Sequence, residues 1–218
     1  MKRWIMLAMM SFLGAGLLAA DVASQEADRD FSPKTPSSEE MAKMFQRMQE
    51  CATPSKYHER LEVFLGEWDV EMKVWMGGTA GGPPMESKGA SVSRWLLDGR
   101  WLMTETNAPI MGMPMEMVSI LGYDNFKKKY IAVSVDTMTT AAVLASGPLD
   151  PGGKVILLYG EIDEPGLEEV GKPVKSVIRI LDDDHYVMEI HDLALGEKNT
   201  QVLEFAYTRK KGEPAPGR

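Results

Sequence analysis

Three histidines, one cysteine and a run of alternating methionines hold most of this chain's chemistry, and their spacing limits each of them. Cys51 precedes His58 by one or two helical turns, which gives the parts of a thiol nucleophile and its base. No third residue nearby orients the imidazole, and a helix-end thiol is the plainer reading. His185 and His191 fall on one face of a strand with Val187 and Glu189. Six residues at about 3.3 Å each hold the two rings about 20 Å apart, too far to grip one metal ion. Glu189 with His191 supplies two ligands from one strand, short of a site. Haem held by a single histidine remains an alternative. Met111, Met113, Met115 and Met117 alternate in a chain with 17 methionines. Thioethers select Cu(I), but alternate strand positions also form a core face, and methionine fills irregular gaps.

Glu105 and Asp136 sit on stretches otherwise rich in apolar and small residues. Facing inward they would be buried carboxylates able to orient a ligand or act as general acid or base. Facing outward they would be solvated. Trp68, Trp95, Trp101 and Tyr130 read as core aromatics or as the lining of a ligand site. The G-x-S-x-G, HExxH, paired CxxC, Walker and Rossmann patterns are missing, so no residue is assigned a catalytic role and no cofactor is expected.

The elements that must position these residues follow from periodicity. Lys2 and Arg3 precede an uncharged apolar run from Trp4 to Ala20, the pattern of a signal peptide. Seventeen residues are short of the roughly 20 that an anchor needs. Cleavage is expected after Ala20 or Ser24, which makes the protein periplasmic or secreted. No later apolar run is long enough to span a membrane, and stable membrane insertion after cleavage is not expected. A lone cysteine excludes an internal disulfide. Residues 25–50 read as a polar tether followed by an amphipathic helix. Ser37 and Glu40 form a capping box that starts the helix near Ser38, with Met41, Met44, Phe45 and Met48 on one face. Thr53-Pro54 opens a second helix with Tyr57, Leu61, Phe64 and Leu65 as its stripe, stopped at Gly66.

After Gly66 the period changes to two. Trp68, Val70, Met72, Val74 and Met76 share one face, and Glu67, Asp69, Glu71 and Lys73 the other. Further strands are expected at 87–97, 100–107, 115–123, 128–137, 141–147, 154–161, 174–182, 184–193 and 199–208. Turn signals such as Asp98-Gly99 and Asp124-Asn125 separate them. The fold class is therefore all-β: an antiparallel meander barrel of about ten strands over residues 51–210, preceded by one or two short helices. A disordered tail is expected at 211–218. Closure removes exposed edges; a β-sandwich is the alternative, and the absence of alternating helices disfavours a parallel sheet. The whole chain carries a formal charge of −8, and losing Lys2, Arg3 and Asp21 with residues 1–24 leaves 22 basic against 31 acidic residues, a charge of −9. An acidic domain without a basic stripe is a poor partner for nucleic acid or an anionic membrane.

Gly66-Glu67-Trp68 at the start of the first strand and Arg209 at the end of the last resemble the opening and closing of lipocalin-like (calycin) barrels. In that resemblance Trp68 plugs one end and Arg209 packs over its ring, a cation–π contact. Cys51-Ala-Thr-Pro, His58-x-x-Leu61, Trp95-Leu-Leu-Asp-Gly-Arg-Trp101 with Glu105, Gly122-Tyr-Asp-Asn125, Lys128-Lys-Tyr130, Asp136-Thr-Met138 and Tyr207-Thr-Arg-Lys210 together resemble the domain-of-unknown-function 1579 family. The resemblance runs from about residue 50 to 210. It implies a calycin-like barrel, a family without a settled activity, and an interior ligand site at Trp101, Glu105, Tyr130 and Asp136. Where that pattern carries a tryptophan before Asp136, this chain has Ala132-Val-Ser-Val135, so its lining differs. The function expected is non-enzymatic binding of a small apolar or amphipathic molecule; the alternatives are an enzyme using a cavity carboxylate and a haem or copper carrier.

Overall fold

Alternating side chains oblige each strand to choose one face for the core. In β1 (Gly66–Val74) the choice buries Trp68, Val70 and Met72 and exposes Asp69 and Glu71. The computed structural model describes residues 35–211; the expected signal peptide, its cleavage sites, the tether up to residue 34 and the tail from residue 212 lie outside the described residues. Nine more strands follow: β2 (Met85–Leu96), β3 (Trp101–Asn107), β4 (Glu116–Asp124), β5 (Lys129–Asp136), β6 (Ala142–Gly147), β7 (Val155–Glu164), β8 (Glu169–Ile180), β9 (His185–Asp192) and β10 (Gln201–Arg209). Each pairs antiparallel with its sequence neighbours, and β10 closes on β1 from Trp68↔Arg209 to Val74↔Leu203. The result is a closed ten-stranded barrel with no free edge, not a sandwich. Met76, expected on β1, lies past its end and is exposed. The β7–β8 hairpin runs further than the strands expected at 154–161 and 174–182, to a reversal at Pro165–Leu167.

The chain divides into compact units at Phe45 and Gln46. Helix α1 (Ser38–Ala52) starts at a reciprocal capping box: the Glu40 amide donates to Ser37 Oγ at 3.3 Å, and the Ser37 amide donates to Glu40 Oε2 at 2.8 Å. Met41, Met44, Phe45 and Met48 are all exposed. The second helix, α2 (Lys56–Glu59), is capped by Ser55 and not opened by Pro54, and a 3-10 turn (Arg60–Phe64) continues it. No described helix is long and apolar enough to cross a membrane.

Register settles the inner face of every strand, because residues paired directly across a ladder point the same way. The barrel has two ends. At the base, where β1 begins and β10 finishes, Leu61, Phe64 and Leu65 join Trp68, Tyr130, Tyr186 and Tyr207 in a fully buried cluster. The mouth is the opposite end, reached by the last residues of β1, β3, β5, β7 and β9.

Candidate functional site

The base is sealed by aromatic rings and one guanidinium. Trp68 Nε1 donates to the Phe64 carbonyl at 2.8 Å, and its ring meets Tyr186 edge-on at 4.7 Å. The Arg209 guanidinium lies 4.2 Å from the Trp68 ring centre. It donates to the carbonyls of Leu65 at 2.6 Å, Val63 at 2.8 Å and Asp183 at 2.8 Å, and so ties the 3-10 turn to the β8–β9 reversal. Tyr130 is fully buried, and its hydroxyl donates to the Tyr57 carbonyl at 2.9 Å; burial pushes the phenol well above its ordinary pKa. His58 braces the same end. Its Nδ1 accepts the Ser55 amide at 3.0 Å while the ring is bonded to the Tyr123 backbone, and burial holds the imidazole below its ordinary pKa.

Above this plug the inner face changes character. Ser93, Thr104, Ser119 and Ser134 pair in turn across β2, β3, β4 and β5, so four hydroxyls stand in one rung. Ser93 and Thr104 are 2.8 Å apart, as are Ser119 and Ser134. One step toward the mouth, Thr106 Oγ1 donates to Ser91 Oγ at 3.2 Å, and the Tyr207 hydroxyl also bonds to Thr106. The opposite wall is apolar, with Met188, Ile190, Leu203 and Phe205 inward on β9 and β10. Thr104, Ser119, Ser134, Met188, Ile190 and Leu203 all point inward, yet each keeps part of its surface accessible. Interiors without voids bury such positions outright. These six positions are thus less completely buried than the plug below them.

At the mouth, Lys172 points inward with its side chain 12% exposed, held by Asp192 at 2.8 Å, Glu169 at 3.1 Å and Glu164. Burial alone would lower its pKa; the bonds from the three carboxylates raise it instead. Only three residue pairs join β6 to β7, from Leu144↔Glu161 to Ser146↔Tyr159. Beyond them a cleft of about 630 Å³ opens, lined among others by Asp136, Val143, Gly160, Glu161 and Asp163.

Two of the four expected ligand residues are misplaced for that role. Glu105 pairs with Val118, on the outer face, and its half-exposed carboxylate forms an ion pair with Arg94. That guanidinium holds the Glu105 carboxyl below its ordinary pKa. Trp101 lies outside as well, flat over Gly122, where a Cβ would come within 2.4 Å of the indole. The reason is register: Leu102, Thr104 and Thr106 take the inner face of β3, and their neighbours must point out. Tyr130 faces inward but is locked into the plug, away from the free space. Asp136 alone stands at the inner edge of the mouth, where its Oδ1 accepts the Met138 amide at 2.8 Å.

The family model described as "Protein of unknown function (DUF1579)" matches residues 53–209. The chain belongs to the DUF1579 family. Among solved structures, this DUF1579 barrel is similar to Rv2717c from M. tuberculosis, with 17% identity and a TM-score of 0.52 over 73% of this chain and all of that one. It also matches a redesigned beta barrel at 10% identity and a TM-score of 0.37, over 73% of this chain and all of that one. No curated protein matches the chain.

The remaining candidates of this DUF1579 chain do not converge. His185 and His191 point outward from β9, and His58 spends its ring in the plug, so no described histidine faces the free interior. Met115 is buried, Met117 faces inward and Met111 and Met113 are exposed, so the methionine run is divided among three environments. Cys51 is exposed, and its carbonyl accepts from Asn125 Nδ2 at 3.2 Å. Among the described residues no three His, Cys, Asp or Glu side chains are placed to share a metal ion. Sequence reasoning missed the hydroxyl rung. Its signal was there in Ser91-x-Ser93 and Thr104-x-Thr106, hydroxyls alternating on neighbouring strands.

Proposed function

We propose that this DUF1579 protein is a non-enzymatic carrier, exported to the periplasm or beyond, that holds a small apolar or amphipathic molecule in the upper half of its barrel. The observation that carries the reading is the incomplete burial of residues that point inward. Ser119, Ser134, Met188 and Ile190 have no packing reason to keep accessible surface unless something fills the space between them. Ala132 and Ser134, the inward residues of β5 between Tyr130 and Asp136, are both small. An enzyme that works with a cavity carboxylate is disfavoured, because Glu105 is on the outer wall and the ladder partner of Asp136 on β4 is Met117, not a second acid or base. Export is supported by Lys2 and Arg3 ahead of the apolar run to Ala20.

The test is a titration with N-phenyl-1-naphthylamine, an uncharged probe that brightens in apolar surroundings. Saturable one-to-one binding is expected, lost in Ser134→Phe, which fills the space without touching the plug. An unchanged isotherm for that variant, or no binding to the natural protein, contradicts the carrier reading.

A further inference from the structure

We infer that the interior selects amphiphiles with an uncharged, hydrogen-bonding head group, such as an alcohol, ester or amide, over carboxylate-headed fatty acids. This rests on the carrier reading above and narrows it to a ligand class. A hydroxyl both donates and accepts, so the accessible members of the rung, Thr104, Ser119 and Ser134, match a neutral head that does the same. The facing wall of Met188, Ile190, Leu203 and Phe205 suits an alkyl or ring-bearing tail.

Charge decides the rest. Among the described strands only two cations point inward, Lys172 and Arg209. Arg209 is spent at the base on three backbone carbonyls, Asp184 and the Trp68 ring. Lys172 is already surrounded by Glu164, Glu169 and Asp192. The cleft at the mouth adds Asp136, Glu161 and Asp163, with no lysine or arginine in its lining. A carboxylate entering this interior would shed its water with no counter-charge to meet it, and an unpaired buried charge is costly. A neutral head exchanges water for hydroxyls and avoids that penalty.

The experiment compares three probes of equal chain length, 1-decanol, decanoate and decylamine, by calorimetric titration of the protein at pH 7.5. Decanol is expected to bind at least about tenfold more tightly than decanoate, whereas the acidic mouth sets no such penalty on decylamine. The double substitution Ser119→Ala with Ser134→Ala removes both partners of one bond and is expected to weaken decanol about tenfold while the thermal midpoint holds. Equal or tighter binding of decanoate overturns this inference and leaves the carrier reading standing. Absence of binding for all three overturns the carrier reading itself, and this inference with it.

Discussion

The two halves of this barrel are built from the same ten strands and differ in what fills them. At the base, inward positions carry Trp68, Tyr130, Tyr186 and Tyr207, rings stacked or edge-on within 4.1–5.1 Å of a neighbour, with no accessible surface to speak of. Toward the mouth Thr106, Phe205 and Val174 are still buried, but Ser119, Ser134, Met188 and Ile190 stay partly accessible. The difference lies in side-chain volume, since ladder pairing continues through both halves. Large rings from several strands meet on the axis; small hydroxyls do not reach it. The plug supplies the densest aromatic packing of the fold, and the proposed ligand space lies above it.

That contrast can be broken from either side. The largest effect is expected at the plug. Trp68→Ala removes the indole, its bond to Phe64 and the surface under Arg209, and is expected to cost about 3–5 kcal/mol in urea unfolding. Such a loss takes a large part of an ordinary domain's stability. Paired small-to-large changes sharpen the comparison. Ala145→Phe, at a buried inner position, is expected to cost about 1–3 kcal/mol by overpacking. Ser134→Phe, facing the proposed ligand space, is expected to cost less than about 1 kcal/mol by the same measurement. Equal penalties would show that the upper half is as full as the lower.

Smaller effects follow. Tyr130→Phe deletes the hydroxyl that holds Tyr57, at about 1 kcal/mol by the same method. The pH dependence has a definite sign. Burial keeps His58 neutral in the fold, so the unfolded chain takes up the proton first. Stability is therefore full above about pH 6.5 and is lost as pH falls through the lower folded value. His191, also lowered chiefly by burial, adds to the same slope. Thermal midpoints from pH 7.5 to 5 are expected to fall less steeply in His58→Gln than in the natural protein. The smallest effect belongs to Glu105→Gln on the outer wall, where an exposed ion pair with Arg94 contributes little. Neither its thermal midpoint nor its probe binding is expected to change; a loss of binding would return that carboxylate to the site.

Much of the fold was legible in the sequence. Strand by strand, alternation and turn residues marked all ten elements, because in β1 the apolar and charged residues separate cleanly onto two faces. The site was not legible, and β3 shows why. Trp101, Met103 and Glu105 alternate with Leu102, Thr104 and Thr106, so neither face is plainly apolar and period two does not choose between them. The choice is made by pairing, through Thr104 with Ser93 and Ser119, which sequence alone does not supply. Ser119 and Ser134 lie on separate strands, and only the register places them side by side.

A high-resolution crystal structure of the protein purified without denaturation tests the central claim most directly. The space to inspect lies between Thr104, Ser119 and Ser134 on one wall and Met188, Ile190 and Leu203 on the other. Continuous density there for an amphiphile or a chain of ordered water, above a dry aromatic base, is the result expected. Side chains of the two walls in van der Waals contact, with nothing between them, would contradict it.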